Sequence, residues 1–156
     1  MNRRFALRPP RLDRIFEADP LYFVTFCTYD RKPWLANDLA HRGFARFSQR
    51  AQTEFNIAVG RYVLMPDHAH LFVRGGLEFE LDNWIGALKQ AIARAAGRFG
   101  TPGENWQQGC YDHLLRSNES YAEKWLYVRE NPVRAGLVEK WEDWPYQGEI
   151  VYIDRA

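Results

Sequence analysis

The sequence predicts an α+β fold of ferredoxin-like type, with helices packed on a mostly antiparallel four-stranded sheet in the order β-α-β-β-α-β-α. Apolar runs rich in β-branched and aromatic residues alternate with segments whose apolar residues recur every three or four positions. Two of the apolar runs are separated by only a short turn, as in a hairpin. The chain has 156 residues, of which 46% are hydrophobic, and this fits one domain with a substantial core.

The first half of the chain predicts a strand, a helix and a hairpin. A run of aromatic and β-branched residues indicates a buried strand, and a three- and four-residue apolar period indicates an amphipathic helix. Two further apolar runs flank Pro66, which cannot donate to a strand ladder and therefore marks the turn. In chain order these elements are expected at residues 21–29, 38–54, 57–64 and 68–74.

The second half begins with a second helix and a fourth strand. Apolar residues from Leu81 to Phe99 line one face of the predicted helix, and Gly100 and Pro102 are expected to end it. Residues 106–115 predict the fourth strand.

A third helix follows the fourth strand. Ser120 and Glu123 fit a capping box at its start. Pro132 disfavours helical geometry in the residue before it, so the helix is expected to finish near Asn131. Shorter segments of helix and of irregular or extended chain are expected after it, at 133–140 and 144–153.

Composition limits the location of the protein. No run of 18 apolar residues is present, so we expect no membrane span and no membrane partner. The basic N-terminal stretch is not followed by the apolar segment of a secretory signal. Cys27 and Cys110 are isolated in the sequence and are expected to remain reduced thiols, which predicts a cytoplasmic protein.

Positive charge is unevenly distributed, although the net charge is only +1. Residues 1–20 predict a basic, proline-rich arm that precedes a single domain at 21–156. The arm and the second helix together supply a set of basic residues that fits a surface for a polyanion, and an ordinary solvated surface explains the pattern equally well. The candidates for DNA binding in these two segments are Arg3, Arg4, Arg8, Lys89, Arg94 and Arg98.

The most informative motif is a pair of histidines in the predicted third strand. Side chains two residues apart share one face of a strand, so His68 and His70 present two imidazoles side by side. Imidazole is the commonest metal ligand in proteins. An isolated pair of this kind is nevertheless more often structural, and its meaning depends on its partners.

The third helix offers such partners. Tyr127 and Asn131 are four residues apart and therefore share one helical face. An amide oxygen can bind a hard cation, and a deprotonated phenol can act as a nucleophile. Tyr121 is a rival nucleophile, but it lies well round the helix from Tyr127. Two imidazoles, an amide and water suit Mg²⁺ or Mn²⁺ better than a structural zinc ion.

These motifs together resemble those of the single-tyrosine HUH transposases, and most closely of their REP-associated branch. The resemblance covers roughly residues 20–147 and depends on the combination of YVLMPDHAHLFV, WQQGCYDHLLR and YVRENPVRAGLV. The chain departs from the family at Ala69, between the two histidines, where the family often carries a bulkier residue.

The resemblance implies a transposase-like endonuclease and strand transferase that acts on single-stranded or hairpin DNA, as a monomer or a homodimer. It implies that Tyr127 is the catalytic residue and forms a 5′-phosphotyrosine link, and that His68, His70 and Asn131 bind the metal ion. Arg116 and Arg134 are two further candidates for DNA binding; pairing with Asp112 or Glu130 explains them equally well.

Two other functions compete with this one. A metal-dependent hydrolase without a covalent intermediate fits poorly, because the HxHxD pattern needs an aspartate at position 72, where Phe72 stands. The main alternative is a non-catalytic DNA- or RNA-binding regulator derived from a transposase. A covalent adduct between the protein and DNA discriminates between the enzyme and the regulator.

Overall fold

The computed structural model describes residues 20–76, 78–115 and 120–153. None of its described helices has the length and apolar character needed to cross a membrane. The chain order is β1 (Leu21–Cys27), α1 (Asp38–Phe55), β2 (Ala58–Leu64), β3 (His68–Arg74), α2 (Leu81–Ala95), α3 (Pro102–Asn105), β4 (Tyr111–Leu114), α4 (Tyr121–Val128), α5 (Asn131–Arg134) and β5 (Gln147–Glu149).

The five strands form one antiparallel sheet in the order β4-β1-β3-β2-β5. Its first four strands have the ferredoxin-like arrangement that the sequence predicts, so the α+β fold is confirmed. The fifth strand comes from the C-terminal tail and pairs with the edge of β2. Strand β3 begins and ends at the residues expected from the sequence, with His68 at its first position.

The two faces of the sheet are covered by different helices. Because side chains alternate along a strand, Ala69 and Leu71 of β3 face the core beneath α1 and α2. Phe72 faces the opposite side, where α4 packs through Tyr121 and Trp125. The two histidines share the face of Phe72, and they therefore lie on the side of the sheet that carries α4.

A β-bulge in β2 fixes the position of α4. The register between β2 and β3 shifts between Val59 and Tyr62, which leaves the Arg61 backbone N–H outside the ladder. That N–H donates to the Tyr121 hydroxyl at 2.8 Å. A side chain at Gly60 would collide with this hydroxyl, so the close approach of α4 requires glycine there.

Helix α2 is shorter than expected. It ends at Ala95, and Gly97 adopts a left-handed conformation with φ of 77°, which glycine tolerates. Phe99, which the periodicity put on the apolar face, is instead 73% exposed. The strand expected at 106–115 is also shorter, because the helical turn α3 and an isolated bridge between Thr28 and Trp106 precede it.

The third predicted helix corresponds to α4, and the short helix expected at 133–140 begins earlier, as α5 at Asn131–Arg134. Ser120 caps α4 as predicted, since its hydroxyl accepts from the Glu123 backbone N–H at 3.1 Å. Helix α4 ends at Val128, and Pro132 lies in the first turn of α5. Proline is favoured in the first turn of a helix, so Pro132 begins the second segment rather than ending the first.

We expect Tyr121→Phe to lower the free energy of unfolding by about 1–3 kcal/mol, because the Arg61 N–H loses its acceptor. Urea unfolding followed by circular dichroism measures this change. Tyr152→Phe is the matched control, since Tyr152 is 75% exposed, and it should change stability by less than about 0.5 kcal/mol. Equal stability of Tyr121→Phe and the wild type would contradict the role given to this hydrogen bond.

Candidate active site

The histidine pair lies at the start of β3, beside β1. His68 pairs with Cys27 of β1 and His70 with Thr25. The two imidazole rings meet edge to face, with their centroids 4.8 Å apart and an interplanar angle of 81°. The predicted juxtaposition of the two imidazoles on one face is therefore present.

An aspartate and an arginine hold His68 in one orientation. The Nδ1 atom of His68 lies 2.7 Å from Asp67 Oδ1, and Arg31 Nε donates to the other carboxylate oxygen of Asp67 at 3.0 Å. Partial burial raises the pKa of Asp67, but the hydrogen bonds from His68 and Arg31 outweigh it and hold the pKa below its ordinary value. An ionised carboxylate only accepts, so the His68 proton lies on Nδ1 and the Nε2 lone pair remains for a ligand.

The turn that carries Arg31 has an uncommon backbone. Asp30 and Arg31 have φ angles of 55° and 51°, in the left-handed region that non-glycine residues rarely adopt. The turn follows β1 directly and brings the Arg31 guanidinium back to Asp67, at the end of the β2–β3 connection. Such conformations occur where the surrounding structure requires them. Here the backbone N–H groups of Arg31 and Lys32 donate to the carbonyl oxygens of Thr28 and Tyr29, both at 3.2 Å, and close the turn.

His70 has different partners from His68. Its Nδ1 atom lies 2.7 Å from the Thr25 hydroxyl, and its ring stacks on Phe23 with centroids 5.4 Å apart. Burial is the main cause that lowers the pKa of His70 to about 3, and electrostatic interactions with His68 and Arg134 act in the same direction. The imidazole is therefore neutral at physiological pH and can bind a cation without first losing a proton.

Helix α4 presents Tyr127 to solvent. Its residues Tyr121, Trp125 and Val128 pack against the sheet, whereas Tyr127 is 68% exposed. The Lys124 ammonium lies 5.4 Å from the centroid of Phe23, the ring on which His70 stacks. Tyr127 is thus an accessible phenol on the helix that covers the histidine face.

Arg134 contacts both Tyr127 of α4 and Asn131 of α5. Its guanidinium lies 4.0 Å from the centroid of the Tyr127 ring, and its Nη2 donates to Asn131 Oδ1 at 2.8 Å. The charge of the same guanidinium acts on His70. Tyr127, Asn131 and Arg134 therefore form one cluster, and within the histidine pair the charge of Arg134 acts on His70.

Three of the predicted DNA-binding residues differ in their availability. Lys89 is buried, with 7% of its surface exposed, and its ammonium donates to the carbonyls of Gln107 and Gly109 at 3.2 and 2.6 Å. The ammonium therefore holds the loop at 107–109 against α2 and is not available to bind phosphate. Arg98 donates to Asn105 and is half-buried, whereas Arg94 is exposed. Arg3, Arg4, Arg8 and Arg116 lie outside the described residues.

The residues that orient the histidines were not predicted from the sequence. Asp67 directly precedes His68, and this adjacency was a usable signal for a carboxylate partner. Thr25 follows only from the register of β1 against β3, and Arg31 follows only from the conformation of the turn. Long-range pairing of this kind has no counterpart in local sequence patterns.

A second group of candidate metal ligands lies elsewhere on the sheet. Ligand atoms of Asp82, Cys110 and Asp112 all lie within 4.8 Å of one another. Asp112 pairs with Val24, whose side chain belongs to the core beneath α1 and α2. The group is therefore on the opposite face from the histidine pair, and the two sets of ligands are separate. Cys27 and Cys110 are both free thiols, as predicted.

Solved structures support the fold assignment. The structure of a REP-associated tyrosine transposase bound to a REP hairpin matches with a TM-score of 0.66 at 19% identity, over 82% of this chain and 75% of that chain. A Deinococcus radiodurans protein assigned as a transposase matches with a TM-score of 0.51 at 20% identity, over 72% of this chain and 90% of that chain. At these identities the likeness concerns the fold.

Sequence comparisons identify the family. A Haemophilus influenzae protein assigned as a REP-associated tyrosine transposase is 27% identical over 146 residues, which cover 85% of this chain and 81% of that protein. The REP-associated tyrosine transposase of Escherichia coli K12 is 26% identical over 91 residues, or 56% of this chain and 52% of that protein. The model of the family described as IS200-like transposases matches residues 19–112, more than half of the chain and including the histidine pair. The chain belongs to the IS200-like transposase family, and within it resembles the REP-associated tyrosine transposases.

Proposed function

We propose that the protein is a metal-dependent endonuclease and strand transferase for single-stranded DNA, with Tyr127 as the nucleophile. The observation that carries the proposal is the cluster in which Arg134 contacts both Tyr127 and Asn131 and acts electrostatically on His70. A nucleophile, a candidate metal ligand and a cation for phosphate are thus in contact with one another, and the cation acts on one of the two oriented imidazoles.

The donor atoms fit a divalent cation of the Mg²⁺ or Mn²⁺ type. His68 and His70 offer Nε2, because their Nδ1 atoms are engaged by Asp67 and Thr25. Asn131 offers its amide oxygen, which has a second lone pair beside the one that accepts from Arg134. When bound, such an ion polarises a phosphoryl oxygen and neutralises charge that develops in the transition state.

The proposed step is a transesterification at phosphorus. The Tyr127 oxygen loses its proton and attacks the phosphorus atom, and the bond from phosphorus to the 3′ oxygen breaks. The products are a 5′-phosphotyrosine and a 3′-hydroxyl, whose oxygen takes up one proton. Attack by a 3′-hydroxyl on the phosphotyrosine reverses the step and rejoins DNA. Because one phosphodiester replaces another, the reaction needs no ATP.

Arg134 has the position expected of a residue that stabilises the reacting phosphate. Guanidinium groups pair with phosphate oxygens through charge-assisted hydrogen bonds. The Arg134 guanidinium is in contact with the face of the Tyr127 ring, so a phosphate attacked by the Tyr127 oxygen lies within its reach.

The substrate we propose is hairpin DNA with an unpaired strand at the cleavage point. The structural neighbour described above is bound to a REP hairpin. In this chain Tyr111 of β4 pairs with Thr25 of β1, which in turn pairs with His70, so the three residues share one row of the sheet. Tyr111 is exposed and provides an aromatic ring on which an unpaired base can stack.

We expect Tyr127→Phe to abolish the covalent adduct with DNA, because the substitution removes only the attacking oxygen. The wild type and the variant are incubated with a labelled hairpin that carries a single-stranded extension and with Mn²⁺, and adducts are resolved on a denaturing gel. Tyr152→Phe, at another exposed tyrosine, should leave the adduct unchanged. An adduct that persists in Tyr127→Phe refutes the assignment of the nucleophile. Binding without any adduct in the wild type, across varied substrates, favours a non-catalytic regulator.

Removal of the metal should stop the chemistry and weaken DNA binding far less. We expect EDTA to slow adduct formation by about a thousandfold or more, since metal stabilisation of a phosphoryl transition state contributes several kcal/mol. Added Mn²⁺ should restore the rate. Electrophoretic mobility of the same DNA, measured in parallel with EDTA, separates loss of chemistry from loss of binding. An unchanged rate in EDTA would exclude the proposed metal dependence.

Asp67→Asn should weaken metal binding because Asp67 orients His68. The asparagine amide can donate to Nδ1 and move the imidazole proton to Nε2, where it blocks the metal. We expect the dissociation constant for Mn²⁺, measured by calorimetry, to rise about 10- to 100-fold.

A second measurement distinguishes this positioning role from a general loss of structure. ¹⁵N NMR of the His68 imidazole should show the Nδ1-protonated tautomer in the wild type and the Nε2-protonated tautomer in Asp67→Asn. Asp143→Asn, at an exposed aspartate, is the control for lost surface charge. Wild-type affinity and tautomer in Asp67→Asn would refute the role of Asp67.

A further inference from the structure

A groove lined by arginines lies on the outer surface of the helical layer. Arg42, Arg46 and Arg50 follow one side of α1, and Arg94 faces them from α2. Together with apolar neighbours they enclose an open groove of about 460 Å³. All four arginines are exposed. Because α1 and α2 cover the sheet face opposite to the histidines, the groove is separate from the candidate active site.

Small residues form the floor of this groove. A Cβ atom at Gly43 would lie 2.5 Å from the Cβ of Ala95 and 3.2 Å from the carbonyl oxygen of Ala91. The two helices therefore touch along this line without large side chains between them. The floor is closed by backbone and methyl groups, and among the residues that the structure describes only the arginines at the rim bring charge to the groove.

The charges of the groove are largely uncompensated by carboxylates. Arg50 pairs with Glu54 at 3.2 Å, one turn along α1. Within the described part of the chain, no ion pair is recorded for Arg42, Arg46 or Arg94. Four like charges around one groove repel one another, and an anionic ligand relieves that repulsion.

We propose that this groove binds the phosphate backbone of duplex DNA, such as the stem of a hairpin whose unpaired strand enters the active site. Arg42 and Arg50 are eight residues apart, so the row of guanidinium groups on α1 extends about 12 Å at 1.5 Å per residue. One strand of DNA carries a charge about every 3.4 Å along its axis, so this length matches three or four phosphates. A regular row of arginines fits a regularly spaced polyanion.

The groove is suited to recognise the charge of DNA rather than its base sequence. Its floor offers no side-chain donor or acceptor for a base edge, and its rim carries guanidinium groups on flexible stems. DNA held here approaches the reaction centre only by passing around an edge of the sheet. Stem binding and strand cleavage are therefore assigned to opposite faces of the molecule and can be changed separately.

The inference depends on the proposed function only in taking DNA as the ligand, and its test involves no cleavage. The triple variant Arg42→Gln/Arg46→Gln/Arg94→Gln is compared with the wild type by fluorescence anisotropy, using a labelled 20-base-pair duplex in EDTA over a range of salt concentrations. Each lost phosphate contact reduces the slope of log K against log[salt] by about 0.9, so we expect a reduction of about 2.7. Affinity at 0.1 M salt should fall about tenfold or more.

Two further variants make the result specific. Glu54→Gln releases Arg50 from its ion pair and should keep or strengthen duplex binding. Lys140→Gln removes an exposed charge elsewhere and should leave the salt slope within about one unit of the wild type. Tyr127→Phe should bind the duplex as the wild type does, so a failure of the proposed chemistry does not affect this assay.

Binding of a short single-stranded oligonucleotide provides the opposing measurement. We expect the triple variant to bind it as the wild type does. A wild-type salt slope in the triple variant overturns the proposal and leaves the groove to an acidic ligand of another class. Equal losses for the duplex and the short strand also overturn it, because they show that the arginines do not form a separate surface.

Discussion

The hydrogen bond from the Arg61 backbone N–H to the Tyr121 hydroxyl is the contact on which the position of the candidate nucleophile depends. The bulge in β2 leaves this donor unpaired, and a buried unpaired donor is costly, so one particular hydroxyl must reach it. Gly60 gives that hydroxyl the space it needs. Once Tyr121 is fixed, helical geometry turns Tyr127 away from the sheet by about two thirds of a turn, which exposes its phenol.

Local patterns were sufficient for much of the fold. Alternation along β3 put His68 and His70 on one face, and Pro66 limited the strand correctly. The patterns failed where one residue type has two roles. Pro132 can follow a helix or begin one, and it begins α5. A helix can end at any glycine that adopts the left-handed conformation. Here Gly97 adopts it, so α2 ends before the chain reaches Gly100.

The chemistry-bearing residues were predictable from their motifs, whereas the groups that orient them were not. The contact of Thr25 with His70 exists because β1 and β3 pair in one register across 45 residues of sequence. Arg31 reaches Asp67 only through a turn with two left-handed residues. Charge patterns were equally uninformative for Lys89, because a buried ammonium satisfied by carbonyls and an exposed ammonium look alike in a sequence.

The electrostatics of the proposed site connect the binding of the metal ion with the binding of the reacting phosphate. Burial and the charge of Arg134 keep His70 neutral, so Arg134 makes the protonation of this imidazole unfavourable. A divalent cation on the same imidazole experiences the same repulsion from Arg134. A phosphodiester between the divalent cation and the Arg134 guanidinium carries a negative charge that removes this repulsion. Metal affinity and DNA affinity in such a site are therefore coupled, and each ligand binds more tightly in the presence of the other.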